Sequence, residues 1–171
     1  MTTHNHPEPA PGPETSAGAD LTPIHQAALS GEGSLLERVS SLIEQTRAAV
    51  ATQANATLTL RNWHIGHMID VEVLKENRAG YDREIVASLE RQLTKRFGRG
   101  FKRADLYRMI QFSQLLPDKE NVATLSQQLS WSHIKELLPV RSPEARAYYI
   151  DQAVNARLSV RALRELIGRH G

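Results

Sequence analysis

Between residues 91 and 108 the chain concentrates positive charge. Arg91, Lys95, Arg96, Arg99, Lys102, Arg103 and Arg108 stand against Asp105 alone, a net charge of +6. Cations at this density neutralise phosphates and release counterions, so they suit a polyanion and make its binding salt-sensitive. Gly98 and Gly100 interrupt the run, and glycines let backbone approach a phosphate closely. A helix ending at Gly98 and another starting near Arg103 would place a helix N-terminus beside that phosphate and send a second helix towards a groove. A solvated face between two helices uses the same residue types and is the alternative reading.

A second constellation runs from Leu125 to Leu138. Leu125 and Leu129, a turn at Ser130-Trp131, then Ile134, Leu137 and Leu138 have the spacing of a helix-turn-helix. Ser132, His133 and Lys135 are expected to face outward at the start of the second helix, where base contacts are made. Ordinary packing of short helices gives the same pattern. Trp131 is expected in the core, with an indole N–H that needs a partner. Further upstream, His64, His67 and Asp70 share a helical face, as metal ligands would. No further strong ligand lies near them, so they read as half-exposed helix residues. No metal, and no other cofactor, is expected.

Enzyme signatures are missing from the sequence. It has no glycine-rich loop ending in Lys-Ser/Thr, no His-Glu-x-x-His and no nucleophile elbow. It has no Asp/Glu-x-Lys triplet, the core of a restriction-type nuclease site. It has no Cys, which excludes disulfides, thiolate zinc sites and a cysteine nucleophile. No apolar run is long enough for a membrane span, and no secretory signal is visible, so a cytoplasmic protein without membrane partners is expected. The 21 basic residues comprise 16 Arg and 5 Lys. Arg grips phosphate bidentately, which favours an anionic partner, although high genomic GC content gives the same bias.

The elements that position these residues are helical. Residues 1–33 form an acidic Pro/Gly-rich tail with no Lys or Arg, expected to be disordered apart from a helical turn at 24–29. His4 and His6 lie in it. Ser34 is a candidate cap for a helix that buries Leu35, Leu36, Val39, Leu42, Ile43, Thr46 and Val50. Leu58, Asn62, Ile65, Ile69 and Val73 continue the pattern, either in the same helix or in a second one. Gly66 in the middle costs about 1 kcal/mol against Ala unless something packs closely there. Asp82 is expected to cap the next helix, with Ile85, Val86, Leu89, Leu93 and Phe97 inward and Gly98 as the stop. A helix from about Arg103 ends at Pro117. Residues 121–138 divide into two short helices near Ser130. Ser142-Pro143-Glu144 starts another helix, and Ser159 starts the last, closed by Gly168. No stretch alternates as a strand would. The chain therefore reads as an all-α multi-helix bundle of six to eight helices over residues 34–171, with helix-turn-helix character.

Several of these motifs, in this order, resemble one bacterial family. Asn62-Trp63-His64-Ile65-Gly66, preceded by Asn55, is similar to a motif of the YhcG N-terminal domain. Leu93-Thr94-Lys95-Arg96-Phe97-Gly98-Arg99-Gly100-Phe101 resembles that family's most recognisable signature, followed by Leu106-Tyr107-Arg108-Met109 and Phe112. Leu129 to His133, Ala145 to Tyr149 and Ser159 to Leu163 follow, and the resemblance covers roughly residues 35–168. It implies a helical, DNA-binding module that usually precedes a PDDEXK-type nuclease domain. This sequence stops at Gly171, where that nuclease would begin, so nuclease activity is not carried over. A stand-alone module or a fragment of a split gene is expected. A fainter similarity links residues 125–163 to the helical DNA-binding region of ParB-type partition proteins.

Two functions follow as expectations. The first is a non-catalytic DNA-binding module, with Lys95, Arg96, Arg99, Lys102 and Arg103 on phosphates and Arg108, Ser132, His133 and Lys135 as candidate groove contacts. The second is an interaction module, whose residues 35–76 form a homodimer seam or dock a separately encoded PDDEXK nuclease. A helical enzyme ranks last, since only His64, His67 and Asp70 converge.

Overall fold

The computed structural model describes residues 33–76 and 80–170. The tail expected before Gly33, with its helical turn, lies outside the described residues. Seven helices are described: α1 (Leu35–Glu76), α2 (Tyr81–Phe97), α3 (Arg103–Leu115), α4 (Lys119–Ser126), α5 (Trp131–Leu137), α6 (Pro143–Asn155) and α7 (Val160–His170). No strand occurs among the described residues. The fold is all-α. No helix among the described residues is long and apolar enough to cross a membrane.

Short polar side chains set most helix starts. Ser34 Oγ accepts from the Glu37 N–H at 3.2 Å, and Glu37 Oε2 accepts from the Ser34 N–H at 3.1 Å, a reciprocal capping box. Asp118 caps α4, Ser130 caps α5 and Ser142 caps α6, with Pro143 in the first turn where its missing N–H costs nothing. Ser159 Oγ accepts from the Ala162 N–H at 3.1 Å. The start of α2 differs from expectation. Its N-cap is Gly80, held at φ 85, and Asp82 lies inside the first turn, where its charge complements the helix dipole. Gly168 does not close the last helix, which runs on to His170.

The chain divides between Arg47 and Ala48 into two units. The described part of the first is the opening of α1. Here Leu35, Leu36, Val39 and Ile43 are exposed rather than buried. Their helical spacing is real, but a face at that spacing is buried only if another element covers it. In the second unit Val50 and Leu58 are exposed as well.

The second unit holds two buried clusters. Ile69 of α1, Val86 of α2 and Leu106 and Met109 of α3 form one. Trp63, Phe112, Val122, Leu129, Ile134, Leu137, Tyr149 and Leu163 belong to the other, which links α1 and α3 to α4 through α7. Gly66 explains how α1 meets α3. A Cβ there would overlap the Met109 carbonyl, so the two backbones touch and only glycine fits. Three residues earlier, the Trp63 indole N–H donates to the Leu116 carbonyl at 2.7 Å. These contacts fix α3, and with it the segment that precedes it.

Candidate nucleic-acid interface

The basic segment forms an elbow between α2 and α3. The Gly98 N–H donates to the Thr94 carbonyl at 2.9 Å and ends α2. Gly98 has φ 80 and Gly100 φ 105. A Cβ at either position would meet nothing within 4 Å among the described residues, so the torsions and not crowding demand glycine. Lys102 is the N-cap of α3 and provides no side-chain cap. Asp105 lies in the first turn of α3, where its charge complements the helix dipole as Asp82 does in α2.

Lys95, Arg96, Arg99, Lys102, Arg103 and Arg108 are all exposed. Arg103 Nε lies 3.2 Å from Glu90 Oε2, and Arg108 Nη1 lies 3.3 Å from Asp105 Oδ1. Among the described residues, Lys95, Arg96, Arg99 and Lys102 have no carboxylate within ion-pair distance. Exposed ion pairs of the Arg103 and Arg108 kind contribute about 0–1 kcal/mol, so an incoming phosphate can displace their carboxylates. Lys95 and Arg96 also complement the negative end of the α2 dipole, a structural use for two of the four.

Two aromatic rings frame the elbow. Phe97, expected inside, is 64% exposed. Its ring centroid lies 6.2 Å from that of Phe101, with the planes at 59°. Arg96 Cζ is 6.0 Å from the Phe97 centroid, and Arg61 Cζ is 5.5 Å above the Phe101 ring. Sequence reasoning singled out neither Arg61 nor an outward Phe97. The signal was the run Phe-Gly-Arg-Gly-Phe itself, in which aromatic, glycine and cation alternate. An apolar groove of about 730 Å³ is lined by α2 from Tyr81 to Phe97, by Phe101, and by α1 residues that include Ile65 and Met68.

The α4–α5 corner is built differently. The Ser130 N–H donates to His133 Nδ1 at 3.2 Å, and the Ser130 hydroxyl lies 2.8 Å from the same nitrogen. His133 Nε2 lies 2.7 Å from the Leu158 carbonyl. A backbone donor at Nδ1 and a carbonyl at Nε2 require the neutral tautomer with its proton on Nε2. The outward orientation expected for His133 is therefore corrected, because both ring nitrogens are engaged inside the fold. Ser132 is exposed and Lys135 half-buried. Trp131 is half-buried, its ring 5.7 Å from Phe112. Glu136 accepts from Arg164 at 2.6 and 3.1 Å. That hydrogen bond holds the Glu136 carboxyl below its ordinary value, partly opposed by burial.

The His64, His67 and Asp70 group does not converge. The His67 ring stacks on Trp63 at 5.1 Å and 7°, and His64 meets the same indole edge-on at 5.2 Å. Asp70 accepts from Gln114 Nε2 at 2.8 Å. Among the described residues no group of three or more His, Asp or Glu is arranged to hold a metal ion.

A family model described as the DUF1016 N-terminal domain matches residues 38–170. No curated protein and no solved structure matches the chain.

Proposed function

We propose that this chain, which belongs to the DUF1016 N-terminal domain family, is a non-catalytic DNA-binding module that grips phosphates through the elbow between α2 and α3. One observation carries the reading. Lys95, Arg96, Arg99 and Lys102 are exposed around a glycine turn and have no internal carboxylate among the described residues. Like charges held together with no counter-charge destabilise the folded chain slightly and suit a polyanion. The start of α3 follows the turn directly and takes no side-chain cap from Lys102, so its first backbone N–H groups add donors beside the cations in sequence. Arg103 and Arg108 join by exchanging their carboxylates for phosphate. Ser132 and Lys135 remain candidate groove contacts of a helix-turn-helix, with His133 as the residue that fixes the corner. A role beside a PDDEXK-type nuclease extends this reading.

The test is a mobility-shift titration on duplex DNA across a salt series. Binding is expected to weaken steeply with salt. The double variant Arg99→Glu with Lys102→Glu is expected to weaken it at least about 100-fold while melting as the unaltered protein does. Retained binding would remove the elbow from the mechanism.

A second reading rests on the opening of α1, where Leu35 and Leu36 are 74% and 77% exposed. In that reading this row docks a second copy or a separately encoded nuclease subunit. Its check is the mass of the purified chain in solution and its capture by such subunits; a strict monomer that captures none argues against it.

A further inference from the structure

We infer that the elbow also distinguishes unpaired from paired bases, with the exposed Phe97 ring as the stacking surface. The inference rests on the DNA-binding reading of the same elbow and adds which form of DNA it prefers.

A lone exposed phenyl is ordinary on a protein surface. Its setting here is not. Two of the three phenylalanines of the chain stand in one five-residue run, with Phe97 64% exposed. Each ring has a guanidinium beside it, Arg96 at 6.0 Å from Phe97 and Arg61 at 5.5 Å from Phe101. Lys95 and Arg99 lie within two residues of Phe97, both exposed. Among the described residues nothing lies within 4 Å of a Cβ at Gly98 or Gly100, so the backbone beside the ring is open there.

A nucleotide has the complementary form. Its base offers a flat face to an aromatic ring, and its phosphate offers charge to a cation one group away. In a continuous duplex the base faces are occupied by their neighbours, so the cations bind the strand and the ring adds nothing. Once a base is unpaired, its face becomes available to Phe97. An apolar side chain from a protein partner would also cover the ring. It would leave the surrounding cations Lys95, Arg96 and Arg99, which have no carboxylate partner among the described residues, without counter-charge. The charge at the ring therefore favours the nucleotide.

The experiment measures affinity by fluorescence anisotropy on two probes. One is a labelled single strand of mixed sequence, and the other is that strand in a blunt duplex. Phe97→Ala is expected to lower affinity for the single strand about tenfold and leave the duplex unchanged. Phe97→Trp is expected to restore the single strand. Equal loss on both probes, no loss on either, or a loss that Trp does not restore would overturn the inference. If Phe97→Ala spares DNA but abolishes self-association, the ring belongs to a protein contact and the inference is equally overturned. The two proposals separate cleanly. Loss of duplex binding in the Arg99/Lys102 double variant, with Phe97→Ala silent, sinks only the stacking surface. An unaltered protein that binds neither probe sinks both.

Discussion

The elbow at Phe97–Arg103 and the corner at Ser130–His133 both join two helices, and both carry polar residues flagged as contact candidates. They use those residues in opposite ways. At the corner, Ser130 and His133 satisfy each other, and the remaining ring nitrogen of His133 reaches the Leu158 carbonyl. Glu136 is engaged by Arg164. At the elbow, the turn is held by two glycine torsions, and four cations are left without internal carboxylates among the described residues. A polar group already satisfied inside the fold has little left for a ligand, because forming a new bond means breaking an old one. Unsatisfied charge at the surface is where binding energy remains available. The contrast gives Ser130 and His133 an architectural role and makes the elbow, in the reading proposed above, the main source of phosphate contacts.

The same contrast predicts which substitutions harm stability and which harm binding. The largest effect falls where the fold is most closed. Gly66→Ala forces a methyl into the Met109 carbonyl and should cost about 3 kcal/mol or more, lowering the melting temperature on the order of 10 °C by calorimetry. At the elbow, Arg99→Glu with Lys102→Glu should reduce duplex affinity by at least about 100-fold with an unchanged melting temperature. A fall in stability matching that of Gly66→Ala would erase the distinction. Next comes His133→Ala, which removes a cap partner and leaves the Leu158 carbonyl without its donor. It should cost about 1–3 kcal/mol in denaturant unfolding. The affinity of the folded fraction for DNA should not change, and a specific loss of affinity would return the corner to the interface.

The smallest effect is at Glu136. Its carboxyl is held below the ordinary value of 4.5 by the Arg164 hydrogen bond. A depressed carboxylate stabilises the fold above its unfolded value, and that contribution disappears as pH falls through the lower folded value. Glu136→Gln should therefore melt slightly below the unaltered protein at neutral pH, and the gap should close as pH drops below about 4.5. Because Arg164 is 65% exposed, salt should shrink the gap too.

Local chemistry made much of the architecture readable. Serine caps at 34, 142 and 159, the division near Ser130 and the stop near Pro117 are short-range signals, and the serine caps each act within four residues; that Ser130 is itself a cap came only with the structure. Gly66 announced its close contact through its misfit with helix propensity, though not the identity of the neighbour. What the sequence hid was non-local. The spacing of Leu35, Leu36, Val39 and Ile43 fits a buried face, but burial depends on a covering element that spacing does not name. Phe97 fitted the inward row of α2 by period, yet α2 ends there and, among the described residues, no element buries the ring. His133 looked outward because its decisive acceptor, Leu158, lies 25 residues away. Among the candidate contacts, the clustering of charge was legible. Which cations keep a carboxylate partner was not, since Glu90 meets Arg103 only after α2 and α3 fold together.

The most direct test is the slope of log affinity for duplex DNA against log salt. Four phosphates neutralised by Lys95, Arg96, Arg99 and Lys102 predict a slope of about −3.6, steeper where Arg103 and Arg108 join, and its magnitude falls by about 1.8 in the Arg99/Lys102 double variant if residual binding is measured at low salt. A slope near zero, or one that the double variant leaves unchanged, would contradict the account.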